Sequence, residues 1–526
     1  MASETGSSAL RYHEATKHSE LSLRMSPHYL DWDNKPSPFK VYKNLPMKSL
    51  PHEFPYPSES SLKALKGLET HNSNKAVDLQ DLTEILFFSA GLTRKMKIGG
   101  ETQYMRAASA TGALYPIELY IVSSGIPGLD AGIYHFNPLS FALVQLREGD
   151  YGPELAAATN GATALSPLTI ALTSLAWRNA WKYEARSYRH WFWDGGVIAA
   201  NLLAICQSES LTTRLVMSFV DQEVDKLLGL EEEKEATVAL AAIGSGSKKG
   251  SDPTQRKIPE LDLQTEEPSR EVAEYPIIWE TNRASDLQSQ IEVERWRDSL
   301  TPVRPKAHEG ENIFPLRQST ENPPSLKDVI LLRGSTRRFA QKPISFEALS
   351  TIIDCSASQI PMDFLPDEQT LIEFYLIAND VTGLPAGSYH YDKSRNSLEQ
   401  LKEGKSRHAS GYLCLEQLLF SDASVVFFLM TNLGIVLRNM GNRGYRAAQF
   451  EAGVRAGKIY LSAYSLGVGA SGSTFYDDAV TEFFSPHAEG MSTMIAVGVG
   501  VPAYRSRPGR ILPQFQKRLK HGNPIE

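Results

Sequence analysis

Residues 117–136 read IELYIVSSGIPGLDAGIYHF, and residues 372–391 read IEFYLIANDVTGLPAGSYHY. Both open on Ile-Glu, alternate along a strand, turn about a glycine and close on Gly-x-Tyr-His-aromatic. Three further matches follow in the same order. EARSYRHWFWDGG (184–196) matches GNRGYRAAQFEAG (441–453), and SFVDQEVDKLLG (218–229) matches TFYDDAVTEFFS (474–485). ALAAIGSG (239–246) matches MIAVGVGV (494–501). An offset of about 255 residues runs through all four, so the chain is an internal duplication.

Each copy reads as a helix (79–89; 346–356), a two-stranded hairpin and a long helix that follows a Tyr-Arg pair. A short strand, an acidic helix start at Asp221 or Asp477 and a closing apolar strand complete it. The long helix places Ile198, Leu202, Leu203 and Ile205 on its apolar face in the first copy. Ile459, Tyr460, Leu461 and Tyr464 occupy that place in the second. Hairpins interleaved with helices, rather than strict β-α-β alternation, predict an α+β fold. The expected architecture is two α/β/α layered domains fused as an intramolecular pseudo-dimer. The domains span 61–246 and 327–512. An extended N-terminal wrap covers 1–60, a Pro-, Ser- and charge-rich linker 247–326, and a tail 513–526. IEVERWRDSL (291–300) within the linker reads as a short helix packing on a domain.

The 526 residues are 42% apolar and 22% charged, with a formal charge of −7 and a pI near 6.0. That balance excludes the basic face a nucleic acid or an anionic membrane would need. No apolar run approaches the roughly 20 residues that cross a bilayer, and the N-terminus lacks a secretory pattern. Cys206, Cys355 and Cys414 are too scattered for a disulfide framework or a metal pair. These features predict a cytoplasmic protein. His13-Glu14-x-x-x-His18 has the wrong spacing for a zinc helix, since its histidines lie about 140° apart. The expectation is no metal. Gly467, Gly469 and Gly472 spell GxGxxG, but a helix precedes and a strand follows, the reverse of a dinucleotide turn. His135 and His390 recur in both copies and read as structural.

Several strings together carry a family resemblance. LLRGSTRRFAQKPIS (331–345) resembles the opening of FMN-dependent nitroreductase-superfamily domains. RAASATGALYPIELY (106–120), WKYEARSYR (181–189) and YHEATKHS (12–19) are similar to its SagB/ThcOx-type dehydrogenase branch, whose members oxidise azolines in modified peptides. Arg333, Ser335 and Arg337 have a physical reading of their own: two guanidiniums and a hydroxyl within five residues can converge on a phosphate. A solvated basic helix start is the plain alternative. The resemblance implies that Arg505 and Arg507 complete the phosphate site. It also implies that the small-residue turn Ser109, Ala110, Thr111, Gly112, Ala113 and Leu114 lies against the flavin ring, with backbone near Gly472 at its border. Lys182 and Tyr183 take the place of the branch's acid–base pair. Tyr183, the stiffer of the two, is expected to touch substrate while Lys182 lowers its pKa or accepts the proton through water.

The two copies have lost complementary parts. Opposite RGSTRRF the first copy has KGLETHN (66–72), without the arginines. Opposite RAASATGALYP the second has PMDFLPDEQTL (361–371), where Asp363, Asp367 and Glu368 replace the small turn. One FMN site per chain follows, with phosphate residues from one copy and the ring-facing turn from the other. The expected activity is hydride transfer from a small heterocyclic or peptide-derived substrate to flavin. An NAD(P)H-dependent nitro- or quinone-reductase and a non-catalytic flavin- or peptide-binding subunit are the alternatives. The expected partner is a small molecule or modified peptide, with no nucleic acid and no membrane. Self-association beyond the internal pseudo-dimer is left open.

Overall fold

The computed structural model describes residues 6–66, 75–98, 101–246, 258–299, 312–317, 322–366 and 369–511. Residues 67–72 of KGLETHN, Asp367, Glu368 and the tail 513–526 lie outside the described residues. The chain forms two seven-stranded antiparallel sheets of the same strand order. In the first, Ile117–Ser123 lies between Gly132–Asn137 and Leu168–Leu175, and Glu235–Ile243 and Thr213–Val216 follow. In the second, Glu373–Ala378 lies between Gly387–Asp392 and Val425–Thr431, and Ser492–Gly500 and Gly469–Ser473 follow. Alternation puts Leu119 and Ile121 against one helical layer and Tyr120 and Val122 against another, because successive strand residues face opposite sides. The fold is α+β with helices on both faces of each sheet, as expected. Among the described residues no helix is long and apolar enough to cross a membrane. The three cysteines are buried and unbridged.

The lobes meet through their long helices, Ser187–Ser208 and Leu433–Ser465. They approach until backbones touch. A Cβ on Gly196 would sit 2.5 Å from the Val454 nitrogen, and one on Gly453 2.6 Å from the Phe192 oxygen. Only glycine fits at these matched positions. One hydrophobic cluster consequently runs from Ala9 to Ile511 through both lobes.

Reciprocal ion pairs lock this crossing. Arg186 and Arg189 of the first lobe reach Asp477 of the second, at 2.9 and 2.7 Å. Arg443 and Arg446 of the second lobe reach Asp221 of the first, both at 2.6 Å. All six side chains are buried. Several of the other guanidinium hydrogens go to segments outside the expected domain limits. Arg189 donates to the His13 carbonyl and the Thr16 hydroxyl, and Arg186 to the Thr16 carbonyl. Arg446 donates in the same way to the Asn282 carbonyl and the Ser285 hydroxyl, and Arg443 to the Ser285 carbonyl. The helices Ser7–Ala15 and Pro276–Ala284 are therefore duplicated parts. So are the edge strands Met47–Ser49 and Ile313–Pro315. The repeat thus begins well before residues 61 and 327, and the wrap and linker are structural members of the lobes. The linker helix expected at 291–300 forms as Gln290–Arg297, and its Trp296 Nε1 donates to the Met440 carbonyl at 2.9 Å.

Asp477→Ala leaves two buried guanidiniums without a counter-charge. We expect a loss of roughly 3–5 kcal/mol in denaturant unfolding, with both lobes still melting in one transition. Two separate transitions in the wild type would show that the lobes are independent.

Candidate functional site

The site begins with the turn Ser109–Leu114. Gly112, Ala113 and Tyr115 take left-handed φ values of 63°, 55° and 51°, a conformation that costs non-glycine residues energy. Three bonds hold it. Asp194 accepts from the backbone nitrogen and the hydroxyl of Thr111, both at 2.8 Å. Arg178 donates to the Tyr115 carbonyl at 2.8 Å, and the Arg106 nitrogen donates to the Tyr115 hydroxyl at 3.2 Å. Behind the turn lies a small cavity lined in part by Arg106, Ser109, Ala110, Tyr115 and Asp194. A Cβ on Gly112 would meet the Tyr183 hydroxyl at 2.7 Å, so the tyrosine lies directly over the turn.

Lys182 and Tyr183 end the helix Ala176–Tyr183. The next residue, Glu184, takes φ 49° and ψ −142°, where its counterpart Gly441 takes φ 61° and ψ −161°. The first lobe thus holds a glycine-type kink with a glutamate, beside the candidate acid–base pair. The Lys182 amine lies 5.4 Å from the Tyr183 ring centre. Burial lowers the Lys182 pKa, and the nearby charges of Arg337 and Lys35 add to this. Burial raises Tyr183, with Asp194 adding and Arg337 opposing. The structure therefore reverses the expectation that Lys182 makes Tyr183 more acidic: the phenol is held protonated and the amine is the group brought toward neutrality.

Arg337, in the second lobe, is the cation common to both of those shifts, which brings the two lobes together at the site. Its segment lies beside the first lobe's turn. Arg333 donates to the carbonyls of Ala107 and Arg106 at 3.0 and 3.3 Å. Arg94 donates to the carbonyls of Leu331 and Leu332. Arg333 is buried, and through Nε and Nη2 it acts as a strut between the lobes. Ser335 is 3.4 Å from the Tyr460 hydroxyl, to which the Gly472 nitrogen also donates. The irregular segment 501–510 wraps the same stretch: Arg337 donates from its backbone to the Tyr504 hydroxyl, Ala503 to the Arg338 carbonyl and Gly509 to the Leu331 carbonyl. Arg337, Arg505 and Arg507 are exposed, and no carboxylate among the described residues pairs with them.

The opposite, pseudo-symmetric place is sealed. Residues 361–363 add to the edge of Thr213–Val216, with the Leu215 nitrogen donating to the Pro361 carbonyl and the Asp363 nitrogen to the Leu215 carbonyl. The Asp363 carboxylate accepts from the nitrogens of Met217 and Ser218 at 2.9 and 3.2 Å and from the Ser218 hydroxyl. Val216 is buried there, whereas its counterpart Gly472 is exposed on an edge that no residue of the 106–114 segment joins.

Asp194 is the site residue that sequence reasoning missed. The signal was present in the matched DGG (194–196) and EAG (451–453), since Glu451 accepts from Leu371 and Thr370 as Asp194 does from Thr111.

Residues 72–245 and 330–499 each match the Nitroreductase family, and the chain belongs to that family: it is a nitroreductase-family oxidoreductase in tandem duplicate. A "Putative nitroreductase" of Methanocaldococcus jannaschii is 29% identical over 163 residues, 30% of this chain and 82% of that protein. The crystal structure of a "putative nitroreductase" from Anabaena variabilis superposes with a TM-score of 0.73 at 26% identity. That match covers 95% of this chain and 100% of the other, so the likeness extends over the whole two-lobed unit.

Burial lifts the Asp194 pKa from 3.8 to about 7. A raised carboxyl favours the folded state while it is protonated, so its contribution is full below 3.8 and fades as pH rises through about 7. Asp194→Asn should abolish that fall in unfolding free energy over the same window. A wild-type profile that matches the mutant's throughout would show that Asp194 is ionised in the fold.

Proposed function

We propose that the chain is an FMN-dependent dehydrogenase or oxidase of the SagB/ThcOx type, with one flavin site shared between its lobes. The observation that carries this reading is the asymmetry of the two sheet edges. Where the second copy seals the edge beside Val216 with Asp363, the edge at Gly472 is exposed and no residue of the 106–114 segment joins it.

The residues present fit the group. Arg337, Arg505 and Arg507 lie on neighbouring irregular segments, pair with no carboxylate among the described residues, and would hold the phosphate, with the Ser335 hydroxyl close in the chain to Arg337. Exposed Gly112 and Gly472 leave two backbone faces on which a flat ring can lie. Bound there, FMN supplies a two-electron acceptor for hydride from the substrate. The chain's own part is proton transfer. Lys182, shifted toward its neutral form, accepts the proton that leaves the substrate as hydride departs. Tyr183 stays protonated and offers its hydroxyl as a hydrogen-bond donor beside Gly112. The strained turn and the kink at Glu184 fix both groups before substrate arrives. A small heterocycle, free or within a peptide, suits this reading, since the branch that the strings 106–120 and 181–189 resemble acts on such rings.

Arg337→Ala should weaken FMN binding by about one to two orders of magnitude, the value of a lost charge-assisted bond at ~1.5–3 kcal/mol. Lys182→Ala should keep its flavin and lose turnover by about 10²-fold or more. Normal turnover in that variant would return Lys182 to packing. Rapid anaerobic bleaching by NADPH, with no oxidation of heterocyclic substrates, would replace the proposal with a nitro- or quinone-reductase.

A further inference from the structure

Outside the flavin site, the second lobe assembles a set of side chains that the first lobe lacks. His390 and Glu399 are direct partners on the antiparallel strands Gly387–Asp392 and Ser397–Glu403, so they share one face of the sheet. His487 arrives from the turn after the helix Asp477–Phe484. Its ring centre is 4.5 Å from that of His390. One ligand atom from each of the three lies within 4.8 Å of the others. His390 and Glu399 are 3% and 6% exposed.

Each histidine is oriented by a second group. His390 Nε2 lies 2.9 Å from Glu373, so this nitrogen carries the proton toward the carboxylate. That leaves His390 Nδ1 as a buried acceptor with no hydrogen-bond partner among the described residues. His487 Nδ1 is 2.9 Å from the Tyr375 hydroxyl, which is also 3.5 Å from the His487 carbonyl. In the tautomer with Nδ1 protonated, the phenol accepts from Nδ1–H and the lone pair of the ring lies at Nε2. A carboxylate or hydroxyl behind each imidazole is the arrangement that fixes tautomer and raises basicity at metal-binding histidines.

The duplicate is an internal control. In the first lobe His135 keeps the same bond to Glu118, at 2.8 Å. There, however, Val144 stands opposite it in place of Glu399. Tyr42 packs on its ring in place of His487, and Arg178 neutralises Glu118. Among the described residues the equivalent nitrogen of His135 meets no second ligand. The second lobe has the same His–Glu pair without the arginine and places Glu399 and His487 beside it.

We propose that His390, Glu399 and His487 bind one divalent metal ion of the zinc class. Two imidazoles and a carboxylate are a borderline donor set that suits zinc and leaves a fourth position for water. Tetrahedral ligation needs donor atoms about 3.3 Å apart at metal–ligand distances near 2.0–2.1 Å. The three donor atoms, which lie within 4.8 Å of one another, would have to draw in by up to about 1.5 Å to reach this spacing. The ion would pin the C-terminal end of the helix that begins with Asp477, the anchor of Arg186 and Arg189. Spacing along the chain could not reveal the set, because a hairpin and a turn about 90 residues further on supply it.

The test uses full-length protein prepared without a metal-affinity tag, stripped with a chelator and titrated with zinc alone. We expect one equivalent bound per chain, a rise in melting temperature on zinc addition and visible absorption of four-coordinate type when cobalt replaces zinc. His487→Ala and Glu399→Gln should each reduce retained zinc more than tenfold while leaving flavin content unchanged. If a variant loses flavin, the chelation and re-addition series on the wild type decides. No zinc uptake by the wild type, or equal uptake by correctly folded variants, would overturn the proposal and leave a purely hydrogen-bonded trio.

Discussion

Four buried arginines govern the architecture. Arg186, Arg189, Arg443 and Arg446 lie at the crossing of the two long helices, where an uncompensated charge is costly. Each is neutralised by a carboxylate of the opposite lobe, and Arg446 also pairs with Asp286 of its own repeat. Neither lobe can therefore close its own interior. Several of the other guanidinium hydrogens require carbonyls and hydroxyls at fixed places, and the helices Ser7–Ala15 and Pro276–Ala284 deliver them. Domain, wrap and linker thus form one cooperative body, and the glycine pair Gly196 and Gly453 sets how closely its halves approach.

Within that symmetric frame the two edges could diverge without disturbing the lock. On one side Asp363 satisfies the backbone of Met217 and Ser218 and closes the edge. On the other, conformational strain accumulates at Ala113, Tyr115 and Glu184, and the buried Asp194 holds the turn through Thr111. Strain of this kind persists where surrounding structure over-determines it, and it concentrates at functional sites. Its presence on the open side, together with three arginines that pair with no carboxylate among the described residues, distinguishes the proposed site from its sealed twin.

The sequence displayed the duplication, the helix and strand order and the complementary losses, because side-chain patterns encode them. It concealed whatever the backbone performs. The helices at Ser7 and Pro276 share little sequence, since the parts of His13 and Asn282 that matter are carbonyl oxygens. Arg333 reads in sequence as a phosphate ligand, and only the fold shows that its Nε and Nη2 bind the Ala107 and Arg106 carbonyls across the lobes. The acidity of Tyr183 could not be read from its neighbour Lys182, because burial and Asp194 dominate it. Asp194 was visible in the match with Glu451, yet its task depends on a turn 83 residues earlier.

The central claim is a single flavin site assembled from both lobes, and stoichiometry tests it most directly. Apoprotein is saturated with FMN, desalted, and assayed for bound flavin against protein by amino-acid analysis. The account predicts one FMN per chain. Two per chain would mean that the Asp363 seal opens to bind a second flavin, and none would mean that the open edge at Gly472 is not a flavin cradle.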